Sequence, residues 1–208
     1  MKPFLVKFLI SALFAPLLIS CALQKNASNV TLLVNGDTPD YAGNPHFEMR
    51  DKQIAELLSN NEYDQARQII STALQSYPDD VSLHYHLGLS YMRQKLYGEA
   101  ILQFEKVLEF DESHKPALFN LASIKQQKKN LDEARRLYEK LLIIDPNDPD
   151  THYNIALVYD RLFKLEKALY HYQKCFPLFK QDRTKRPYIK AIKKRMEELE
   201  FLIRKDKK

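Results

Sequence analysis

The sequence predicts an all-α array of stacked helical repeats, and three observations carry that prediction. Glycine is scarce, four in 208 residues, while Leu, Lys, Glu, Gln and Ala abound, a composition that favours helix over tight hairpins. Alanines recur at Ala66, Ala100, Ala134 and Ala168, one every 34 residues. Their neighbours recur in step. Tyr63, Tyr97, Leu131 and Leu165 lie three residues before, Ile70, Phe104, Tyr138 and Tyr172 four after, and Ala73, Val107, Leu141 and Cys175 seven after. Four registers in phase are not a chance pattern.

The amino terminus reads differently. In MKPFLVKFLISALFAPLLIS, Lys2 and Lys7 precede an apolar run of 12 residues from Phe8 to Ile19. That is too short for the ~20 residues of a spanning helix and has the length of a signal-peptide core, so residues 1–20 are expected to be a signal peptide. Leu18-Ile19-Ser20-Cys21 resembles the bacterial lipobox, a Leu, a variable residue, a small residue and the cysteine that becomes lipidated. The resemblance implies a lipoprotein acylated (palmitate or a related chain) at Cys21 and held at the membrane by two or three acyl chains. One chain would be only a reversible anchor, at ~0.8 kcal/mol per buried methylene. Ala22 stands where an inner-membrane retention signal would place Asp, which points to the outer membrane, facing the periplasm. The two cysteines are Cys21 and Cys175, so acylation of the first leaves no intramolecular disulfide and the fold rests on packing.

Residues 21–46 mix Asn, Gly, Asp, Pro and Ser without helical period and read as a lipidated flexible tether. Thr31-Leu32-Leu33-Val34 could pack on the first helix. The sequons at Asn26 and Asn29 would matter only in a eukaryotic secretory route, which the lipobox argues against.

From about residue 47 to 180 the chain resembles the tetratricopeptide repeat (TPR), a 34-residue helix-turn-helix unit. His84, Leu87, Gly88, Tyr91, Ala100, Phe104 and Val107 fit its pattern, as do His152, Ile155, Ala156, Tyr159, Ala168, Tyr172 and Cys175. The intervening unit fits less closely, through Leu118, Leu121, Ala122, Lys125, Ala134, Tyr138, Leu141 and Pro146. The resemblance implies four units, at 47–80, 81–114, 115–148 and 149–180, stacked into a right-handed superhelix with a concave side. Gly88, Ala122 and Ala156 are small where the two helices of a unit cross. The first unit departs from the pattern at Gln53 and Ile54, as a terminal repeat with one neighbour missing would. In the last, Pro177 is expected to cut the second helix short.

Residues 181–208 form a basic capping helix and tail. Ile189, Ile192, Met196, Leu199 and Ile203 follow three- and four-residue steps, one apolar face that would cover the seam at Tyr172. This stretch holds 11 Lys or Arg against 5 acids, whereas residues 21–180 hold 19 against 22, so the basicity belongs to the tail. Its lysines and arginines could meet anionic lipid head groups; nucleic acid would give the same electrostatics, but an exported chain should not encounter it.

The pair His84 and His86 invites a metal reading, but residues two apart on a helix point about 200° from each other and cannot share an ion, which calls for spacing of three or four. His84 and His152 occupy the large packing position of the unit. His86 shares its place with Asn120 and Asn154, which in this family faces the groove, where an Asn offers both a donor and an acceptor to a peptide backbone. Tyr85, Phe119 and Tyr153, with Leu89, Ser123 and Leu157 one turn on, are the expected walls, suited to anchoring apolar side chains unless the capping helix or tether covers them. The clamp for acidic chaperone tails needs Lys or Arg at the aromatic places, and these are absent.

No nucleophile elbow, P-loop, dinucleotide fingerprint or CxxC pair is present, so no catalytic residues, metal ligands or cofactors are expected. Asp79-Asp80 and Asp148-Asp150 read as helix caps and Cys175 as a core thiol. The reading is a non-enzymatic, membrane-anchored TPR adaptor whose groove takes peptide segments of protein partners, with no nucleic acid. It would resemble accessory factors of outer-membrane assembly, pilus or secretion machines. A ligand-binding lipoprotein serving a transporter, and a structural protein of the membrane surface, are the alternatives.

Overall fold

The computed structural model describes residues 45–206. The signal peptide, Cys21 and the tether with its TLLV stretch lie outside the described residues. Eight helices form four antiparallel pairs: α1 (Pro45–Ser59) with α2 (Tyr63–Ser76), α3 (Val81–Arg93) with α4 (Tyr97–Phe110), α5 (Lys115–Gln127) with α6 (Leu131–Ile144), and α7 (Pro149–Arg161) with α8 (Leu165–Gln181). A 3₁₀ turn at Arg183–Lys185 leads into α9 (Arg186–Asp206). The pairs stack as a superhelical array that α9 caps, the fold that the 34-residue period predicts.

The turn within each pair is the same object four times. Asn61, Lys95, Lys129 and Phe163 have φ of 62°, 62°, 63° and 56°. The next residue's N–H reaches back to the carbonyls of Leu57, Tyr91, Lys125 and Tyr159 at 2.8–3.0 Å. This Schellman arrangement satisfies the open carbonyls of the first helix and reverses the chain in two residues. Between pairs, Asp80, His114 and Asp148, again 34 apart, cap the next helix by accepting from the N–H groups of Leu83, Ala117 and Thr151. Two of the four acids read as caps therefore act so; Asp79 is exposed, and Asp150 pairs with Lys185.

The crossing within each pair is tight where small residues were expected. A Cβ added to Gly88 would lie 2.7 Å from Phe104 Cε1, so α3 and α4 approach as only glycine allows. Ala122 and Ala156 are fully buried at the matching places. The core runs as a seam along the stack. Its largest part joins Leu118, Tyr138, Ile155, Tyr172, Cys175 and Phe179 to Ile192 and Leu199 of α9. The capping helix thus covers Tyr172, 2% exposed, with the apolar face that its three- and four-residue steps define.

One expectation fails. Pro177 does not end α8, which continues to Gln181 with the proline inside it. A proline there forfeits the hydrogen bond to Gln173 and costs ~3 kcal/mol or more. The residues that follow offset this cost, because continuing the helix seats Phe179, 1% exposed, in the core.

Candidate functional site

All nine residues expected in the groove are half-buried, the state of a side chain on a recessed surface. Seven of them fall into three sets. Tyr85, Phe119 and Asn120 line one recess of about 530 Å³ between the second, third and fourth pairs. Leu89 and Leu157 pack against the cores, and the Ser123 hydroxyl lies 3.2 Å from that of buried Tyr138. Tyr153 is covered from within the chain. Its ring packs against Phe179 at 5.6 Å and Tyr188 at 5.4 Å between centroids. Lys185 lies 5.3 Å above Phe179 and pairs with Asp150. The start of α9 therefore fills the concave face of the fourth pair, and the recess ends at Lys185.

The three polar residues in register are not equivalent. His86 Nδ1 lies 2.8 Å from the carbonyl of Ser82, and Asn154 donates to that of Asp150 at 2.8 Å, each four residues back on its own helix. Asn120 reaches only the Tyr85 hydroxyl, at 3.4 Å, a long contact that leaves its amide oxygen and a second N–H for a ligand. Burial pushes the Tyr85 phenol above its ordinary range, and the Asn120 bond opposes that. Tyr85 is held by the rings of His114, at 5.1 Å, and Phe104.

The remaining lining was not foreseen: Lys115, Pro116, Leu141, Asp145, Asp148, Asp150, Thr151 and Lys185. Two of the three carboxylates are matched by a lysine, Asp145 by Lys115 and Asp150 by Lys185. Lys115 pairs with Asp145 at 3.2 Å and holds its carboxyl below the usual range by hydrogen bonding. The Asp148 carboxylate accepts from Thr151 N–H at 2.8 Å and from its hydroxyl. What remains open in the recess is apolar and amide surface, from Tyr85, Phe119, Pro116 and Asn120. The signal for these residues was available, because caps and first-turn residues of α5 and α7 recur 34 apart beside the aromatic stripe. Lys185 was hidden by the expected break at Pro177.

His84 and His152 are packing residues, whereas His86 turns back to its own helix and does not line the recess. His84 and His152 are 4% and 5% exposed, and each Nε2 donates to the carbonyl of a proline six residues earlier, Pro78 at 2.8 Å and Pro146 at 3.0 Å. Among the described residues, no group of three or more His, Cys, Asp or Glu is placed to hold a metal ion. Cys175 is fully buried, and burial pushes its thiol up to about 12.

Family profiles described as tetratricopeptide repeat match residues 53–115 and 116–181, together more than half of the chain. The chain belongs to the tetratricopeptide repeat family. Such an array is a protein-interaction scaffold, and the half-buried aromatic and amide stripe is the surface this TPR protein offers. Its fold is similar to that of MamA structures. The "Crystal structure of MamA protein" is 20% identical with a TM-score of 0.61, over 76% of this chain and 88% of that one. MamA residues 41-end from Desulfovibrio magneticus RS-1 are 18% identical with a TM-score of 0.61, over 81% and 98%. MamA of AMB-1 is 22% identical with a TM-score of 0.58, over 82% and 92%. At these identities the likeness speaks for the fold alone. No curated protein matches the chain.

Proposed function

We propose that this TPR protein is a non-enzymatic adaptor, anchored by an acylated Cys21 at the outer membrane of a bacterium and facing the periplasm. Its recess would hold an extended segment of a protein partner. The observation that carries the groove reading is the recess beside Asn120. Two aromatic walls stand ready for an apolar side chain, and one amide with free donor and acceptor capacity stands ready for a peptide backbone. The paired charges around it leave little for an acidic or basic ligand to recognise, so selectivity comes from shape and backbone pairing. The anchor rests on the lipobox-like Leu18-Ile19-Ser20-Cys21 after an apolar run of signal-peptide length. Anchor and groove together suit an accessory factor in assembling an outer-membrane, pilus or secretion machine.

A photoreactive residue at Tyr85 or Phe119 in intact cells should crosslink to a protein segment, and Asn120→Ala should weaken capture of the same partner. Identical partner sets from wild type, Asn120→Ala and Phe119→Ala would remove the groove reading. Lipidation is separate. A fatty-acid analogue should label wild type and not Cys21→Ser, and label on both would remove the anchor.

A further inference from the structure

The capping helix does more than cover the seam. Arg195 grips Asp160 through two hydrogen bonds, 2.6 and 2.7 Å, across 35 residues, so α9 lies beside α7 as a fifth first helix would. Here the resemblance to a repeat stops. α7 ends at Arg161 and the chain reverses at Phe163, whereas α9 runs on past the corresponding position to Asp206. It runs on past Leu199, its last buried residue, by seven residues to Asp206, roughly 10 Å.

The outer face of α9 has a definite chemistry. Ile192 and Leu199 point into the core. On the opposite side Lys190, Lys194, Phe201 and Lys205 fall within about 60° of one another around the helix, over roughly 22 Å of its length. Phe201 is 63% exposed and Leu202 beside it 39%. Arg186, Lys190, Lys193 and Lys205 make no ion pair among the described residues; Lys194 has Glu198 at 3.7 Å, an exposed pair of little consequence. Glu197 shares the stripe one turn before Phe201, and Glu198 borders it, where Lys194 and Arg195 neutralise it. An exposed ring with Lys205 unpaired one turn on and further unpaired cations at Arg186, Lys190 and Lys193, on a long amphipathic helix, is the pattern of a helix lying in a bilayer interface.

We infer that the outer face of α9 is a docking surface for anionic lipid, with Phe201 and Leu202 entering the head-group region and the lysines meeting the phosphates. Charge sign favours this occupant. Residues 181–208 carry 11 cations against 5 acids, while residues 21–180 carry 19 against 22, so a negative surface attracts the helix and repels the array, and the molecule lands on one side. A nucleic-acid duplex offers phosphate but no apolar phase for Phe201. The contact requires neither acylation of Cys21 nor an occupied groove.

The test uses residues 22–208, which keep every residue of the described cores and lack both Cys21 and the apolar leader. The chain has no tryptophan, so Phe201→Trp installs a single reporter at an exposed position. Its fluorescence should shift to the blue, and be quenched by brominated lipid, with equimolar phosphatidylglycerol and phosphatidylcholine vesicles and not with phosphatidylcholine alone. Each lysine removed should weaken binding about fivefold, so that Lys190→Gln with Lys193→Gln costs about 25-fold. Phe201→Ser should cost roughly tenfold. No blue shift, or the same shift with both vesicles, overturns the proposal. So does binding to duplex DNA as tight as to the anionic vesicles, or a dimer in sedimentation that buries the tryptophan without lipid.

Discussion

The second and fourth helical pairs bury a histidine at the same place and satisfy it differently. His84 and His152 each donate from Nε2 to a proline carbonyl, which leaves Nδ1 to accept. In the second pair Nδ1 lies 2.8 Å from Oε1 of the Gln103 side chain, and that amide turned over presents its NH2 to the ring nitrogen as a donor. In the fourth it meets Nδ1 of His171 at 2.9 Å, a second titratable ring stacked on Tyr159. The third pair fills both places with leucine, Leu118 and Leu137. One packing slot thus tolerates an apolar pair, a histidine with an amide or a pair of histidines, and in the last burial lowers both rings. The register sets where a side chain goes and its partner sets what it does there.

The largest expected contrast lies at the caps. Asp80 and Asp148 both cap a first helix, but Asp80 also holds Arg50 at 2.7 Å, with side chains 4% and 2% exposed. Asp80→Ala should cost roughly 2–4 kcal/mol because it removes the cap and one of the two carboxylates on buried Arg50, leaving Asp51 at 2.9 Å, against ~1 kcal/mol for Asp148→Ala. Equal losses in denaturant unfolding would show that Arg50 finds other relief. Next comes the helix crossing. Gly88→Ala should destabilise by ~1–2 kcal/mol, since the clash with Phe104 outweighs the ~0.5–1 kcal/mol that alanine gains in a helix. Ala156→Gly should cost only that helical difference.

The left-handed turns differ too. Phe163 is a bulky ring at φ 56° and 85% exposed, so Phe163→Gly should raise stability by ~1 kcal/mol. A loss instead would mean that the ring has a packing role. The last contrast emerges only in acid. Burial, then the charge of His152, lowers His171 to about 4, and burial lowers His152; Glu139 opposes this on His171, while Lys167 and Lys174 add to it. Both folded values lie below the free value of 6.5. The unfolded chain therefore binds more protons, and stability is full above about 6.5 and falls as pH drops toward 4. His171→Gln should flatten that fall and Gln103→His should steepen it, read as melting temperature against pH.

Much of the fold was legible because one 34-residue period writes the same physics four times. The alanines, the large apolar residue four positions later and the cap positions each repeat, so one unit decodes the rest. The groove was legible by face, since residues 85, 119 and 153 share a register, but not by occupancy. Which of three equivalent polar groups stays free depends on whether a side chain turns back to its own helix, as Asn154 does and Asn120 does not. Pro177 misled for a related reason. Its local cost is visible in sequence, while the burial of Phe179 that offsets it is a tertiary fact.

The longest of the links described above, Asn120 to Tyr85, Lys185 to Asp150 and Arg195 to Asp160, each span 35 residues. Every part of the array is therefore stitched to its neighbour and to nothing more remote. Such a molecule folds quickly for its size, because little loop entropy is lost before each contact forms. It also yields piecemeal. Tension on the chain would peel one hairpin at a time, each releasing about 34 residues, roughly 115 Å of slack. A scaffold pulled by a moving partner would give way like a ratcheted spring.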